Sequence, residues 1–372
     1  MASARKPPVR ARPEPKGKLA VVADVHAHNF TYKGGEWSGG LNDRGRECIA
    51  VLERALAQAE AEGATHFFVA GDLFHVQRPE PALIAAIQRA FAKAKKLGIV
   101  VVPGNHDMLA ASARDGNTAC APLWQEATIV NEPTLFEVGT MDVLAVPFCA
   151  TIPMREYLAE VLLARKDWTE GRGRVIVTHV GVYGDDPPPW AVGARDAISS
   201  ARLLDLMNSF EIGAAFVGNY HDAGIWQDEH TAAAICQVGT LCPHGFGDAG
   251  FTDRGKVAMF DGLAGYSAVA VPGPRFVTIR EGDPVPEVPA GCKAFARVER
   301  TAAHELAAAT FAGYAVEEAD LAAQVAEASS VEFVAEDPVE AIKQDVERRP
   351  LPAEVPRDEV LNATLDFWRR AS

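Results

Sequence analysis

Aspartate, histidine and asparagine residues recur in five short motifs whose side chains could bind metal ions. The motifs are ADVHAH at 23–28, AGDLFH at 70–75, PGNHD at 103–107, VTHV at 177–180 and VGNYHD at 217–222. Each motif is weak on its own, because a strand-end aspartate often caps a helix and a lone histidine often belongs to a core. Together, carboxylate, imidazole and amide ligands suit manganese, iron or zinc better than calcium. Two such ions, about 3.5–4 Å apart, can activate and clamp the oxygens of a phosphate ester during hydrolysis.

Alternating strands and helices must position these motifs. Hydrophobic patterns predict strands at 19–23, 66–70, 99–102, 143–146, 175–178 and 214–217, and helices at 43–63, 80–97, 153–165 and 199–210. This alternation favours a largely parallel sheet covered by helices. Polar motif residues directly follow the strands, and open α/β sheets bind ligands outside the carboxyl ends of their strands. We therefore expect the motifs to meet at one edge of one sheet.

The pattern changes after about residue 254. Three antiparallel strands are predicted at 256–260, 267–271 and 275–279, then a linker at 281–289 and a short strand at 293–298. Helices are predicted at about 302–312, 338–348 and 358–370. We expect three regions: a disordered basic arm at 1–18, a main domain at 19–280 and a small α/β region at 281–372.

The composition is that of an ordinary globular protein. The 372-residue chain is 48% hydrophobic and 23% charged, which provides enough apolar material for a sizeable core. Its formal net charge of -14 argues against a generally basic surface, although a local basic groove is compatible with it. The six cysteines are scattered without a CxxC pair, so we expect mostly buried thiols in a reducing cytoplasm. No apolar run is long enough to span a membrane, and we expect no membrane contact.

The order of the five motifs resembles the calcineurin-like metallophosphoesterase superfamily, over roughly residues 19–245. The resemblance implies a four-layer α/β/β/α sandwich with a small C-terminal α/β extension. It also implies two divalent metal ions, with Mn²⁺ as the first expectation and Mg²⁺, Fe²⁺ or Zn²⁺ as alternatives. By this resemblance, Asp24, His26 and His221 bind the first metal. Asp72 bridges the two metals, and the second metal is bound by two further residues, Asn105 and His179.

The same resemblance assigns proton transfer to the residue after Asn105. His106 would protonate the departing oxygen as a general acid. For Asp107 two roles stay open: it orients His106, or it caps a helix that follows.

One position departs from the superfamily pattern. The last motif is usually GHxH, whereas this chain has GNYH, so Asn219 stands where a histidine normally binds the second metal. An amide oxygen is a weaker donor than imidazole for these metals. The second metal would then be weakly held, recruited with the substrate, or completed by His75 or His244. A catalytically weakened scaffold protein is an alternative of a different class.

The segment GDLFH resembles the DNA-repair exonuclease branch, which includes the nuclease subunits of bacterial SbcCD complexes and phage relatives. This resemblance implies a two-metal DNA nuclease, with 3′-to-5′ exonuclease and some endonuclease activity, in the cytoplasm of a bacterium or an infected host. His75 would assist near the phosphate. Homodimerisation and an SMC-like ATPase partner are implied as well. The alternative is a phosphodiesterase or phosphatase that acts on small nucleotides or phosphoproteins.

Residues for DNA contact are less well marked. Arg44, Arg46, Arg78 and Trp37 are candidates for phosphate and base contacts. Alternatively, Arg44 and Arg46 belong to a solvated helix N-terminus, and Trp37 anchors its loop on the core. Trp190 lies on a long loop that could flank the site.

Overall fold

The computed structural model describes residues 17–31, 33–110, 117–187, 191–248, 255–262, 265–279, 287–288, 290–300 and 314–320. The chain divides into two compact units, and the first, Met1–Val298 with Ala307–Glu317, contains all five motifs. The predicted arm up to residue 16, the linker over 281–286, Trp190 and the three C-terminal helices lie outside the described residues. The predicted domain boundary at 281 stays a prediction.

The first sheet has six strands in the order β14-β13-β1-β2-β3-β4. Its members are β1 (Leu19–Val22), β2 (His66–Ala70), β3 (Gly98–Val102), β4 (Thr128–Ile129), β13 (Lys256–Phe260) and β14 (Tyr266–Ala270). Strands β1 to β4 run parallel, and β13 joins β1 antiparallel. The carboxyl ends of β1, β2 and β3 therefore lie at the same edge.

The second sheet also has six strands, in the order β11-β12-β10-β7-β6-β5. They are β5 (Thr134–Val138), β6 (Met141–Val146), β7 (Gly173–His179), β10 (Ile212–Gly218), β11 (Gly224–Gln227) and β12 (Ala234–Gln237). The four inner strands are parallel, and β5 and β11 close the sheet as antiparallel edge strands. Two smaller sheets are formed by β8 (Gly181–Tyr183) with β9 (Ala197–Ser199), and by β15 (Pro274–Ile279), β16 (Lys293–Arg300) and β17 (Tyr314–Asp320).

In the part of the chain that the structure describes, four helices cover the outer faces of the two large sheets. They are α1 (Asp43–Ala61), α2 (Pro81–Lys93), α3 (Met154–Ala164) and α4 (Ser200–Ser209). Local sequence explains where they begin: the Asn42 side chain accepts a hydrogen bond from Gly45 N at 2.8 Å, and Pro81 occupies the first turn of α2. Each helix begins within one residue of its predicted start, whereas α2 ends at Lys93, four residues before its predicted end.

Three separate hydrophobic clusters show the layer order. Because side chains alternate along a strand, Phe67 faces the helices α1 and α2, while Phe68 faces the second sheet. The cluster between the sheets joins Phe68 to Phe216. The third cluster packs α3 and α4, through residues such as Leu158 and Leu203, on the outer face of the second sheet. These clusters confirm the four-layer α/β/β/α sandwich.

Two details of the predicted architecture were wrong. The motifs do not share one sheet: three follow strands of the first sheet and two follow strands of the second. The strand Pro274–Ile279 is not antiparallel, because it pairs in parallel with Lys293–Arg300. Inner strands of both large sheets are buried on both faces, so their hydrophobic patterns do not reveal which strands pair.

The expected state of the cysteines is confirmed. Five of the six are buried free thiols, and Cys292 is half-buried. In the described residues, no helix has the length and apolar character needed to cross a membrane.

Truncation of α3 on its buried face should destabilise the protein far more than truncation on its exposed face. Leu158 is fully buried, whereas Leu163 on the same helix is 69% exposed. We expect Leu158→Ala to lower the free energy of unfolding by about 2–5 kcal/mol, because it leaves a cavity. Leu163→Ala should change it by about 0.5 kcal/mol or less. Urea denaturation measures both, and equal effects would contradict the layer assignment of α3.

Candidate metal centre

The carboxyl ends of five strands bring the predicted ligands together between the two sheets. The first sheet supplies Asp24 and His26 after β1, Asp72 after β2 and Asn105 after β3, while the second supplies His179 at the end of β7 and His221 after β10. His26 contacts His221, and Asn105 contacts His179, across the two sheets. Asp72 lies close to both His26 and His179, so all five motifs contribute to one site.

One cluster is formed by Asp24, His26 and His221. The Nε2 atoms of the two histidines lie 3.0 Å apart. Asp24 Oδ1 lies 3.9 Å from Nε2 of His26 and 4.0 Å from Nε2 of His221. These atoms converge closely enough to ligate one ion. They are the three residues expected to bind the first metal.

A second cluster is centred on Asp72 and His179. Asp72 Oδ2 lies 3.4 Å from His179 Nε2 and 3.6 Å from His26 Nε2. Asn105 Oδ1 lies 2.9 Å from the same nitrogen of His179. Asp72 thus reaches both clusters with one oxygen, which is the geometry that a bridging carboxylate requires.

The backbone of the site is held in an uncommon conformation. Asp24, His26 and Asp72 have φ values of 51°, 46° and 52°. Such left-handed residues cost on the order of 1–3 kcal/mol each and concentrate at functional sites. Close packing also demands glycine: a Cβ at Gly71 would lie 1.9 Å from His179 Nδ1, and one at Gly104 would lie 2.2 Å from Asp72 Oδ1.

Buried charge makes the site suitable for cations. Asp24 is fully buried and Asp72 is 2% exposed, and their described ion-pair partners are histidines, with no lysine or arginine among them. Burial raises the pKa of Asp24 to about 7. Burial alone would lower the pKa of His179, but the adjacent Asp72 carboxylate raises it to about 10. The donor set of carboxylates, imidazoles and an amide therefore fits divalent metal ions.

The His106 ring is oriented by a hydrogen bond to the backbone of His75. Its backbone N donates to Asp72 Oδ1 at 2.9 Å, and its Nδ1 donates to the His75 carbonyl oxygen at 2.8 Å. Since a carbonyl only accepts, the Nδ1 carries a proton, and Nε2 is the position that gains or loses the second one. The rings of His75 and His106 stack with their centroids 5.4 Å apart. Burial and the nearby His244 lower the pKa of His75 to about 4, so its imidazole is neutral at pH 7.

Asp107 acts on the backbone and not on the ring of His106. Its buried carboxylate accepts from Leu73 N at 3.2 Å, Phe74 N at 2.9 Å and Gly104 N at 3.0 Å. It therefore ties the loop after β2 to the loop after β3. The His106 ring is held by the His75 carbonyl, and neither of the two roles expected for Asp107 describes this arrangement.

Asn219 contributes through its backbone in the described arrangement. Its N–H lies 3.1 Å from both carboxylate oxygens of Asp24. Its side-chain amide donates to the Asp196 carbonyl at 2.9 Å and to the Asp196 carboxylate at 3.2 Å. Ligation of the second metal by Asn219 stays a prediction.

Asp248 is a residue of the site that the motif analysis missed. Its carboxylate accepts from His221 Nδ1 at 2.6 Å and lies 3.0 Å from His244 Nδ1. A carboxylate behind a histidine fixes the tautomer that leaves Nε2 facing the metal position. The FGD sequence at 246–248 follows the last motif and was the available signal.

Arg44, a predicted DNA contact, is buried in the structure, and its contact with DNA stays a prediction. Arg44 is 3% exposed, and its guanidinium lies 5.0 Å from the centre of the Phe276 ring and 5.6 Å from that of Phe30. It donates to the Pro243 carbonyl at 3.3 Å. The Arg44 side chain is therefore a buried link between α1 and the strand Pro274–Ile279. The alternative of a solvated arginine at the helix N-terminus does not describe it either.

The other three candidates differ in their surroundings. Arg46 donates to the carbonyls of Leu41 and Glu36 and pairs with Asp43, so it holds the loop before α1. Trp37 is 63% exposed, which excludes an anchor packed on the core. Arg78 is exposed. DNA contact by these residues stays a prediction.

Comparison with known proteins identifies the family. Residues 17–223 match the calcineurin-like phosphoesterases, and since this is more than half of the chain, the chain belongs to that family. No curated protein sequence matches it. The chain is similar to TT1561 of Thermus thermophilus, at 16% identity and a TM-score of 0.42, over 68% of this chain and 98% of that one. It is also similar to a dimetal phosphatase from Danio rerio, at 13% identity and a TM-score of 0.42, over 69% and 100% of the two chains.

Family membership confirms the coarse part of the predicted function. Metal-dependent hydrolysis of phosphoesters is the activity class of this chain, and its aspartate and histidine clusters offer the ligands for divalent ions.

Removing the shared carboxylate should reduce metal binding. We expect Asp72→Asn to lower the metal bound per chain to roughly half or less, because a bridging carboxylate contacts both ions. Inductively coupled plasma mass spectrometry after equilibration with Mn²⁺ measures the content. Asp205→Asn, on the surface helix α4, is the matched control and should bind as much as the wild type. Unchanged metal content in Asp72→Asn would refute the bridging role.

Proposed function

We propose that this protein is a two-metal nuclease that hydrolyses phosphodiester bonds in DNA, with 3′-to-5′ exonuclease and some endonuclease activity. The observation that carries the proposal is the placement of His106 beside Asp72, the carboxylate that reaches both ligand clusters. The GDLFH segment supports the choice of DNA as substrate. A homodimer, an SMC-like ATPase partner and a cytoplasmic location remain parts of this proposal.

The ligand clusters would hold the two ions. When bound, these ions supply a nucleophile at neutral pH and neutralise charge on the phosphoryl oxygens. Asp24, His26 and His221 would hold one ion, with Asp248 fixing the orientation of the His221 ring. Asn105 and His179 would hold the other, and Asp72 would contact both.

His106 is placed to supply the proton that the leaving group needs. An alkoxide such as the deoxyribose oxygen is a poor leaving group and departs only when it is protonated. The His75 carbonyl fixes the ring of His106 through Nδ1, so the protonated Nε2 can donate. His75, neutral at pH 7, can donate a hydrogen bond to a phosphoryl oxygen from its own ring.

A second candidate is a phosphodiesterase for small nucleotides, or a phosphatase that acts on phosphoproteins. The burial of Arg44 favours it, because this cationic side chain is not accessible to a DNA backbone. The formal net charge of -14 points in the same direction. Cleavage of a small ester without attack on DNA would establish this candidate in place of the nuclease.

The role of His106 predicts a dependence on the leaving group. In the presence of Mn²⁺, we expect His106→Gln to lower kcat on end-labelled DNA by about 10²–10⁴-fold. The loss on bis-p-nitrophenyl phosphate should be much smaller, because p-nitrophenolate departs without a proton. EDTA should abolish both activities.

The exposed His230 provides the control for this experiment. His230→Gln should leave both rates unchanged. An equal loss on the two substrates in His106→Gln would assign His106 to metal binding or to structure, and no loss on DNA would refute the general acid.

The departure at Asn219 predicts a gain of function. Because imidazole is the better donor, Asn219→His should lower the Mn²⁺ concentration needed for half-maximal activity by about tenfold. Asn219→Ala is the companion variant and should raise that concentration if the amide ligates. The measurement is a metal titration of phosphodiester hydrolysis. Absence of activity in the wild type and in Asn219→His would favour a scaffold protein.

A further inference from the structure

A cleft opens beside the metal centre and shares a wall with it. It has a volume of about 500 Å³ and includes His221 and Asn219 in its wall. This is within the range of roughly 300–1,000 Å³ found for pockets that bind small molecules. Among the described residues, its lining includes three aromatic side chains: Tyr183, Tyr220 and Trp226. If a ligand places its phosphate at the ligand clusters, the chemical group attached to that phosphate can therefore reach the aromatic cavity.

The walls of the cleft are joined by a buried glutamine. Gln237 is 4% exposed, and its Oε1 accepts from Val182 N at 2.9 Å while its Nε2 donates to the Asp222 carbonyl at 2.7 Å. It thereby links the strand Gly181–Tyr183 to the segment before Gly224–Gln227. The Tyr220 ring lies so close to Gly181 that a Cβ there would be 2.4 Å away. The cleft is thus formed before any ligand arrives, which lowers the entropic cost of binding.

Charge in the cleft disfavours a second phosphate. Asp186 and Asp222 line it together with Asp248, whose carboxylate is already bonded to His221 and His244. The described lining residues of the cleft include no lysine and no arginine. Carboxylates repel phosphate but accept hydrogen bonds from N–H groups. Aromatic rings stack on the flat faces of bases without regard to sequence. The chemistry of the walls therefore matches a neutral aromatic heterocycle with N–H donors.

We propose that this cleft binds the nucleobase of the nucleotide whose phosphate lies at the metal centre. This inference rests on the proposed function, since it assumes a phosphodiester at the ligand clusters. The base has two sources, the terminal nucleotide of a DNA strand or a free nucleotide. Trp226 and Tyr183 supply the stacking surfaces, and the cleft selects substrates that carry a base next to the scissile phosphate.

A pair of esters with one leaving group isolates the contribution of the base. Thymidine 5′-(p-nitrophenyl phosphate) carries a base, and methyl p-nitrophenyl phosphate does not. We expect the ratio of kcat/KM between the two esters to fall about 5- to 150-fold in Trp226→Leu, the cost of one lost base stack. Trp226→Phe, which keeps an aromatic face, should retain most of the ratio. Tyr183→Leu should lower it as a second, independent variant.

An exposed tryptophan elsewhere gives the matched control. Trp124 is 70% exposed and does not line the cleft, so Trp124→Leu should leave the ratio unchanged. A loss of kcat/KM that is equal for both esters in Trp226→Leu and in Tyr183→Leu would overturn the proposal, because it would indicate a structural effect. An unchanged ratio in both variants would overturn it as well.

A binding experiment separates failure of this inference from failure of the proposed function. If the wild type with Mn²⁺ hydrolyses neither ester, the proposed function fails, and saturation-transfer NMR with thymidine decides on the cleft. We expect saturation transfer from the protein to the base protons of thymidine in the wild type and in Trp124→Leu. This saturation transfer should be lost in Trp226→Leu. Absence of transfer in the wild type, or equal transfer in all three proteins, would overturn the nucleobase site.

Two further substrates distinguish the sources of the base. If the base belongs to a DNA strand, an abasic terminal nucleotide should slow removal of that nucleotide, and the difference should shrink in Trp226→Leu. If the base belongs to a free nucleotide, a cyclic nucleoside monophosphate should be hydrolysed with the same dependence on Trp226. Cleavage of both substrates without any dependence on the base or on Trp226 would refute the inference for both sources.

Discussion

Two carboxylates buried at the meeting point of two sheets are the constraint on which the rest of this structure depends. Asp24 and Asp72 have little or no contact with solvent, and among the described residues only histidines pair with them. A buried charge without a compensating cation is costly, so such an arrangement is favourable only when positive charge is supplied. Divalent metal ions supply it, and the fold can be understood as the scaffold that holds their ligands in place.

The scaffold holds strained backbone in the site, and the packing of its sheets and helices compensates for the cost of that strain. Left-handed backbone at Asp24, His26 and Asp72 is unfavourable in isolation, yet hydrogen bonds between neighbouring loops hold these segments in place. Asp107 shows the principle most directly, because its carboxylate gathers amides from two loops that follow different strands. The apolar clusters between the sheets and under the helices provide the stability that this strain requires.

The site has two adjoining parts of different chemistry, the charged ligand clusters and the aromatic cleft. The ligand clusters offer carboxylates and imidazoles for divalent metal ions, whereas the adjoining cleft combines aromatic rings with carboxylates, as the proposed site for an uncharged base requires. His221 belongs to both regions, so a substrate that fills them has its phosphate and its base in a fixed relation. The formal net charge of -14 is compatible with recognition of a single nucleotide unit, such as the end of a DNA strand.

The sequence by itself determined the residue types of the predicted metal ligands, their order along the chain, four helices and all inner strands except Ala234–Gln237, because these depend on local spacing and periodicity. Only the tertiary structure decided that the motifs are divided between two sheets, that Arg44 is buried under phenylalanine rings, and that Asp248 stands behind His221. It also decided the parallel pairing of Pro274–Ile279. Each of these depends on contacts between residues far apart in the chain, and the pattern of apolar residues within one segment carries no record of which distant segment it will meet.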